Sequence, residues 1–215
     1  MQVNNLIHCA EIFIKEQLSQ DFSDGHDYFH TCRVVKHALN LCDQIPHADR
    51  NVVHIAAILH DVARPLESAS AGKIDHAQAG AQIARDFLIK NLSPAEFTDR
   101  VCNCIAQHRF RSNLRPSSIE AEILFDADKL DSLGAIGIAR SFFFAAQVGA
   151  KIHNSAQEAL NSQAYSTEDT AYREFLVKLS KLPDRMLTEP GKIQAHSLKN
   201  FMNQFFEQLN KEFFQ

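Results

Sequence analysis

The chain has 215 residues, 45% hydrophobic and 22% charged, which supplies enough apolar material for one sizeable core and does not fit a disordered chain. A formal net charge of −4 argues against a general nucleic-acid binder, which needs a basic surface to meet phosphates, but leaves room for a local basic pocket around one small phosphate ester. No apolar run is long enough to span a membrane, since Ile55–Leu59 stops at His60–Asp61 and Ser141–Val148 stops at Gly149–Lys151.

Helical periodicity dominates from the first residues onward, interrupted by only 7 Gly and 6 Pro, and no stretch alternates as a strand would. The N-terminal stretch lacks the charged start and unbroken apolar core of a secretory signal, so a cytoplasmic location is expected. A first helix is predicted over about Leu6–Gln20, followed by a breaker at Ser23–Asp24–Gly25. A second runs from about Asp27 to Ile45, with Phe29, Val34, Val35, Ala38, Leu41, Cys42 and Ile45 at mostly three- and four-residue steps. A third, near Asn51–Val62, is apolar almost all round, which predicts a central, buried position. Pro65–Lys73 reads as a surface loop, and His76 opens the next helix.

Later helix starts are signalled chemically. Ser93–Pro94–Ala95–Glu96 and Ser117–Ser118–Ile119–Glu120 each combine a cap with a glutamate three residues on. Ser166–Thr167–Glu168–Asp169 opens another helix. Pro190–Gly191 precedes a C-terminal amphipathic helix whose apolar side carries Ile193, Leu198, Phe201, Met202, Phe205, Phe206 and Leu209. The five cysteines form no Cys-x-x-Cys pair and read as reduced, mostly buried thiols. The expected architecture is one all-α domain over residues 1–215.

The chemistry concentrates in a few polar residues. An adjacent His60–Asp61 pair closing an apolar helix is unusual, because a buried carboxylate is costly unless it is paired or binds a cation. His30 on the second helix and Asp128 on a later one add an imidazole and a carboxylate. Nitrogen and oxygen donors without thiolate suit Mn²⁺, Fe²⁺, Co²⁺, Ni²⁺ or Zn²⁺. Four protein ligands on an octahedral ion leave positions for water and a substrate oxygen, as hydrolysis requires. Asp126 is the rival to Asp128; two residues apart on a helix, the two point to nearly opposite faces.

The ordered series His30, His60–Asp61, Asp128 resembles the HD superfamily of metal-dependent phosphohydrolases. His-x-x-Arg-Val at His30–Val34 and Ala-x-x-Leu-His-Asp at Ala56–Asp61 are similar to its first two blocks. The long segment Asp126–Arg140, together with Tyr172, Lys178–Leu179, Met186, Thr188 and Gly191, resembles a bacterial branch of stand-alone HD hydrolases. The resemblance implies an HD-type helical bundle with a motif core over about 24–140 and additional C-terminal helices over about 141–215. It implies one divalent ion, Mn²⁺ favoured and Mg²⁺ or the other divalent metals admissible, held by His30, His60, Asp61 and Asp128. The Ala-Asp-x-Leu context of the family selects Asp128 over Asp126.

Further roles follow from the same resemblance. Asp61 would help take a proton from water, while His76 and His108 would contact substrate or transfer protons in preference to binding a second ion. Arg33, Arg64 and Lys129 are the candidate phosphate-binding cations, and Asp131 would orient a ligand or a lysine. Some nucleotidases of the superfamily carry an acidic residue near position 64; Arg64 departs from that pattern and puts their water-activating scheme in doubt here. The expected function is hydrolysis of a phosphomonoester or phosphoanhydride in a small nucleotide-like substrate. Two other classes compete with it: a catalytically silent HD module that binds nucleotide or metal, and a di-iron HD-fold oxygenase. The apolar helix stripes leave a homodimer open. His8, His26, His37, His47, His54, His153 and His196 receive no role.

Overall fold

The computed structural model describes residues 3–18, 27–109 and 115–214, and every regular element among them is helical. The chain falls into two compact units, Met1–Asp128 and Lys129–Gln215. The breaker at Ser23–Asp24–Gly25, the last two residues of the expected first helix, and His26 lie outside the described residues.

The first unit contains α1 (Val3–Leu18), α2 (Tyr28–Cys42), α3 (Arg50–Leu59), α4 (Arg64–Ala69), α5 (His76–Lys90) and α6 (Ala95–Gln107). It closes within α7 (Ile119–Leu130), so the unit boundary falls inside that helix. α3 is the core element. Val52, Val53 and Ile55 through Leu59 are at most 2% exposed, and α1, α2 and α6 all pack against it. Each fully buried Val, Leu or Ile contributes about 1.5–3 kcal/mol, so the apolar run that predicted a central helix also anchors the unit. Asp49 caps α3 by accepting from the Asn51 and Val52 amides. Arg100 on α6 then ties Asp49 to Glu120 on α7, at 2.9 Å to each. The starts of α3 and α7 are thereby tied to the middle of α6.

Several expected boundaries differ. The stretch from Pro65 to Lys73 is not all loop, because residues Arg64–Ala69 form α4 with Pro65 in its first turn, where a missing N–H costs nothing. The cap of α6 is Pro94 rather than Ser93 and makes no side-chain hydrogen bond. At α7, Ser118 Oγ accepts from the Ala121 amide, while Glu120 is drawn to Asp49 and Arg100 instead of closing a box. There a tertiary partner outcompetes the local capping signal.

The second unit contains α8 (Gly134–Gln147), α9 (Ala156–Asn161), α10 (Ala171–Val177), two short 3₁₀ turns over Leu179–Lys181 and Pro183–Arg185, and α11 (Glu189–Phe214). Ser155 and Glu158 form the capping box of α9, and Thr170 caps α10, so the helix expected at Ser166 starts later. Its core stacks Phe175 on Phe206 at 4.7 Å between ring centroids, with Met202 and Ala195 also buried on α11. Pro190 and Gly191 lie in the first turn of α11. Ile193 and Phe201, expected on its apolar side, are exposed. No helix among the described residues is long and apolar enough to cross a membrane.

Candidate metal centre

Five helices of the first unit deliver the polar cluster. Asp27 caps α2 and accepts from the His30 amide at 2.8 Å, which sets His30 in the first turn. α3 ends at Leu59, so His60 caps it and Asp61 follows in the turn that leads to α4. Asp75 caps α5 through the Ala77 and Gln78 amides, making His76 the first helical residue. His108 caps the end of α6, and Asp128 stands near the end of α7. His30, His60, Asp61, His76 and His108 are each at most 1% exposed.

Asp61 stands between two histidine pairs. Its Oδ2 lies 3.5 Å from Nε2 of both His30 and His60, which are 3.3 Å apart. Asp128 Oδ1 is 3.5 Å from His30 Nε2. The other oxygen, Oδ1, lies 3.3 Å from His76 Nε2 and 3.7 Å from His108 Nε2, and those nitrogens are 3.1 Å apart. Among the described residues two groups have ligand atoms all within 4.8 Å of one another: His30, His60 and Asp128, and Asp61, His76 and His108.

The ring protons make the cluster's chemistry definite. Nδ1 of His60 lies 2.8 Å from the Ala57 carbonyl, and Nδ1 of His108 lies 2.6 Å from that of Ile105. A carbonyl only accepts, so each Nδ1 donates, and the neutral form of each ring turns a bare Nε2 inward. His76 Nδ1 meets a Glu67 carboxylate oxygen at 2.7 Å, with the same result. The bare Nε2 atoms of His76 and His108, 3.1 Å apart, are acceptor facing acceptor, an arrangement that a cation relieves. Two nitrogens bonded to one ion at about 2.0–2.1 Å stand roughly 3 Å apart, so the spacing fits shared ligation. Asp61 Oδ2 is buried with no hydrogen-bond partner, a costly condition for a carboxylate. The donor set and this orphaned oxygen both fit a divalent cation.

Electrostatics keep the ligands in binding form. Burial opposes ionisation of Asp61, but the neighbouring His60 and the Arg64 guanidinium hold its carboxyl well below the usual carboxylate range. Burial lowers His76 to about 4 and also lowers His108, so both rings are neutral at pH 7.

Arg64 lies across the turn, with Nε 3.2 Å from Asp61 Oδ1 and Nη1 2.9 Å from Glu67 Oε2. Arg33 is half-buried on α2. Lys129 follows Asp128 on α7 and opens the second unit, where Asp131 is buried and pairs with Arg140 at 2.9 Å. Asp126 is fully buried and belongs to neither His/Asp group. Glu67 and Arg109 are the residues that sequence reasoning missed. Glu67, on α4, accepts from His76, Arg64 and Arg109. Its segment read as a loop, and nothing in the local sequence marks a carboxylate nine residues before a histidine as its partner.

The fold is all-helical, and its buried His/Asp groups are ones that could hold a divalent cation. The chain belongs to the HD superfamily: the HD domain model matches residues 27–133. It is 34% identical over 201 residues to the Bacillus subtilis (strain 168) protein YpgQ, covering 92% of this chain and 89% of that one. The fold is shared with an HD-superfamily hydrolase from Bacillus thuringiensis at a TM-score of 0.77 and 32% identity, covering 98% of each chain. It is likewise similar to the crystal structure of YpgQ in complex with ADP, at a TM-score of 0.76 and 27% identity in the superposition, covering 99% of this chain and 97% of that one.

Proposed function

We propose that this protein is a metal-dependent phosphohydrolase acting on a phosphomonoester or phosphoanhydride of a small nucleotide-like substrate. The observation that carries the reading is the gathering of His30, His60 and Asp128 into one group, with a buried Asp61 oxygen that no hydrogen bond satisfies 3.5 Å from both histidines. His30, His60, Asp61 and Asp128 would hold a divalent ion, Mn²⁺ favoured, which would supply acidified water and Lewis-acid polarisation of a phosphate oxygen. The complex of YpgQ with ADP supports a nucleotide as the substrate class.

The side chains divide the remaining work. Asp61 supplies ligand charge; a carboxyl held so far below its ordinary range is a weak base, which supports ligation over proton acceptance. Arg64 brings positive charge to the Asp61 edge of the cluster, and with Arg33 on α2 it forms the proposed set of phosphate contacts. His76 and His108, neutral at pH 7, suit accepting a proton or a substrate hydrogen bond. Their facing Nε2 atoms, with Asp61 Oδ1 beside them, support a second reading in which Asp61, His76 and His108 would hold a second ion.

A screen of nucleotides and phosphate esters with added Mn²⁺, read as released phosphate, tests the function. Turnover of at least one ester, lost in Asp61→Ala, is expected. Nucleotide binding without product under every metal would show a silent module instead. Metal counting on protein purified without chelator separates one ion from two, and a pair of irons would favour the oxygenase class.

A further inference from the structure

Nδ1 of His76 is contested by two neighbours of opposite hydrogen-bonding character. Glu67 Oε2, at 2.7 Å, can only accept; Arg109 Nη1, at 3.1 Å, can only donate. A neutral ring nitrogen satisfies one of them and not both. If the proton sits on Nδ1, it goes to Glu67, and the bare Nε2 faces His108 Nε2 and Asp61 Oδ1 at 3.1 and 3.3 Å. If Arg109 donates to Nδ1, the proton must move to Nε2, where it blocks the inward lone pair. Glu67 intervenes twice. It takes the Nδ1 proton with one oxygen and holds Arg109 Nη1 with the other. Arg64 Nη1 adds a further bond to Oε2 at 2.9 Å, and the guanidinium of Arg109 above all keeps the Glu67 carboxyl ionised against its burial.

We infer that Glu67 is a positioning residue that selects the Nδ1–H tautomer of His76 against Arg109, keeping Nε2 bare where it faces Asp61 and His108. The inference rests on the proposed hydrolase only for its consequence, since a bare Nε2 is what ligation or proton acceptance at that corner requires. The tautomer itself is a property of the metal-free chain. A carboxylate behind a ligand histidine is a common way to fix ring orientation and proton placement. Here it also has a specific competitor to exclude.

The test is long-range ¹H–¹⁵N correlation NMR on ¹⁵N-labelled, metal-free protein at about pH 7.5, where His76 is neutral. Wild type should show the proton on His76 Nδ1 and a pyridine-like Nε2. In Glu67→Ala the pattern should invert, because Arg109 takes Nδ1 as its acceptor. Glu67→Gln, whose side-chain carbonyl still accepts from Nδ1, should keep the wild-type pattern. Glu67→Ala combined with Arg109→Leu should leave a mixture of both tautomers. A merely structural role for Glu67 predicts the same tautomer in every variant, and Nδ1–H persisting in Glu67→Ala would overturn the inference. Should Glu67→Ala lose its helical circular dichroism, wild type and Glu67→Gln decide: a protonated Nε2 in either sinks the proposal. Absence of phosphate release from a protein showing the expected tautomers would count against the hydrolase alone.

Discussion

Asp61→Asn separates a metal-binding role from a structural one, because the two roles predict opposite results with and without metal. Without metal, the swap is nearly isosteric. The amide oxygen in the Oδ1 position retains the Arg64 Nε contact at 3.2 Å. The amide nitrogen in the Oδ2 position can donate to the bare Nε2 of His60, 3.5 Å away, giving a hydrogen bond at a position that now has none. One neutral bond gained against one charge lost leaves the metal-free stability within about 1 kcal/mol of wild type. With metal the outcome reverses. Mn²⁺ at about a hundredfold excess over its Kd stabilises the wild type by about 2.7 kcal/mol, which for a chain of this size raises Tm by about 5–11 °C. The neutral amide presents no anionic oxygen to either histidine pair, so this gain should disappear. Thermal melts with and without Mn²⁺, run beside elemental analysis, read both numbers. A variant that melts early without metal yet keeps the full Mn²⁺ shift would falsify the placement of Asp61 as a ligand.

Other consequences can be read directly. In metal-free protein the unfolded His76 takes up its proton near 6.5 and the folded one only near 4. Between those values the unfolded chain binds more protons, so stability falls as pH drops through the window, by up to about 3 kcal/mol at about 1.4 kcal/mol per unit. His108 shifts in the same direction, whereas Asp61 and Glu67, with lowered values, add their loss only below about pH 4. Urea melts across about pH 4–8 check this, and a flat profile would contradict it. Burial pushes the Cys104 thiol up to about 12, while Cys32 is exposed. A thiol reagent at about pH 8 should therefore label Cys32 quickly and reach Cys104 only on unfolding, as mass spectrometry of timed samples would show. A Cβ at Gly137 would stand 2.2 Å from the Ser132 carbonyl oxygen, so Gly137→Ala should cost about 1–3 kcal/mol by forced backbone shift. Unchanged denaturant melts for that variant would show that the turn before α8 can move.

Much of the centre was legible before any coordinates. Asp128 was preferred over Asp126 on the family context, helical periodicity turning the two to different faces, and Asp128 lies 3.5 Å from His30. The burial of α3 followed from its apolar circumference. His76 was placed at a helix start, where Asp75 caps it. The short helix α4 was not anticipated, because Ser and Ala residues around Pro65 carry no apolar period. Its role comes from Glu67, a polar residue buried by partners outside the segment. Ser118 and Glu120 show the same limit from the other side: local capping rules placed the helix start approximately, and Arg100 and Asp49 changed which side chains took part.

Residue order alone determined an all-helical chain and the set of side chains able to bind a cation, because both depend on composition and on spacings within a few turns of helix. Folding decided which nitrogens face each other and which protons they carry. His76 and His108 are 32 residues apart in the chain, and Glu67 and Arg109 are 42 apart. No short-range pattern encodes such pairings; they exist because buried polar atoms must find partners wherever helix packing brings them.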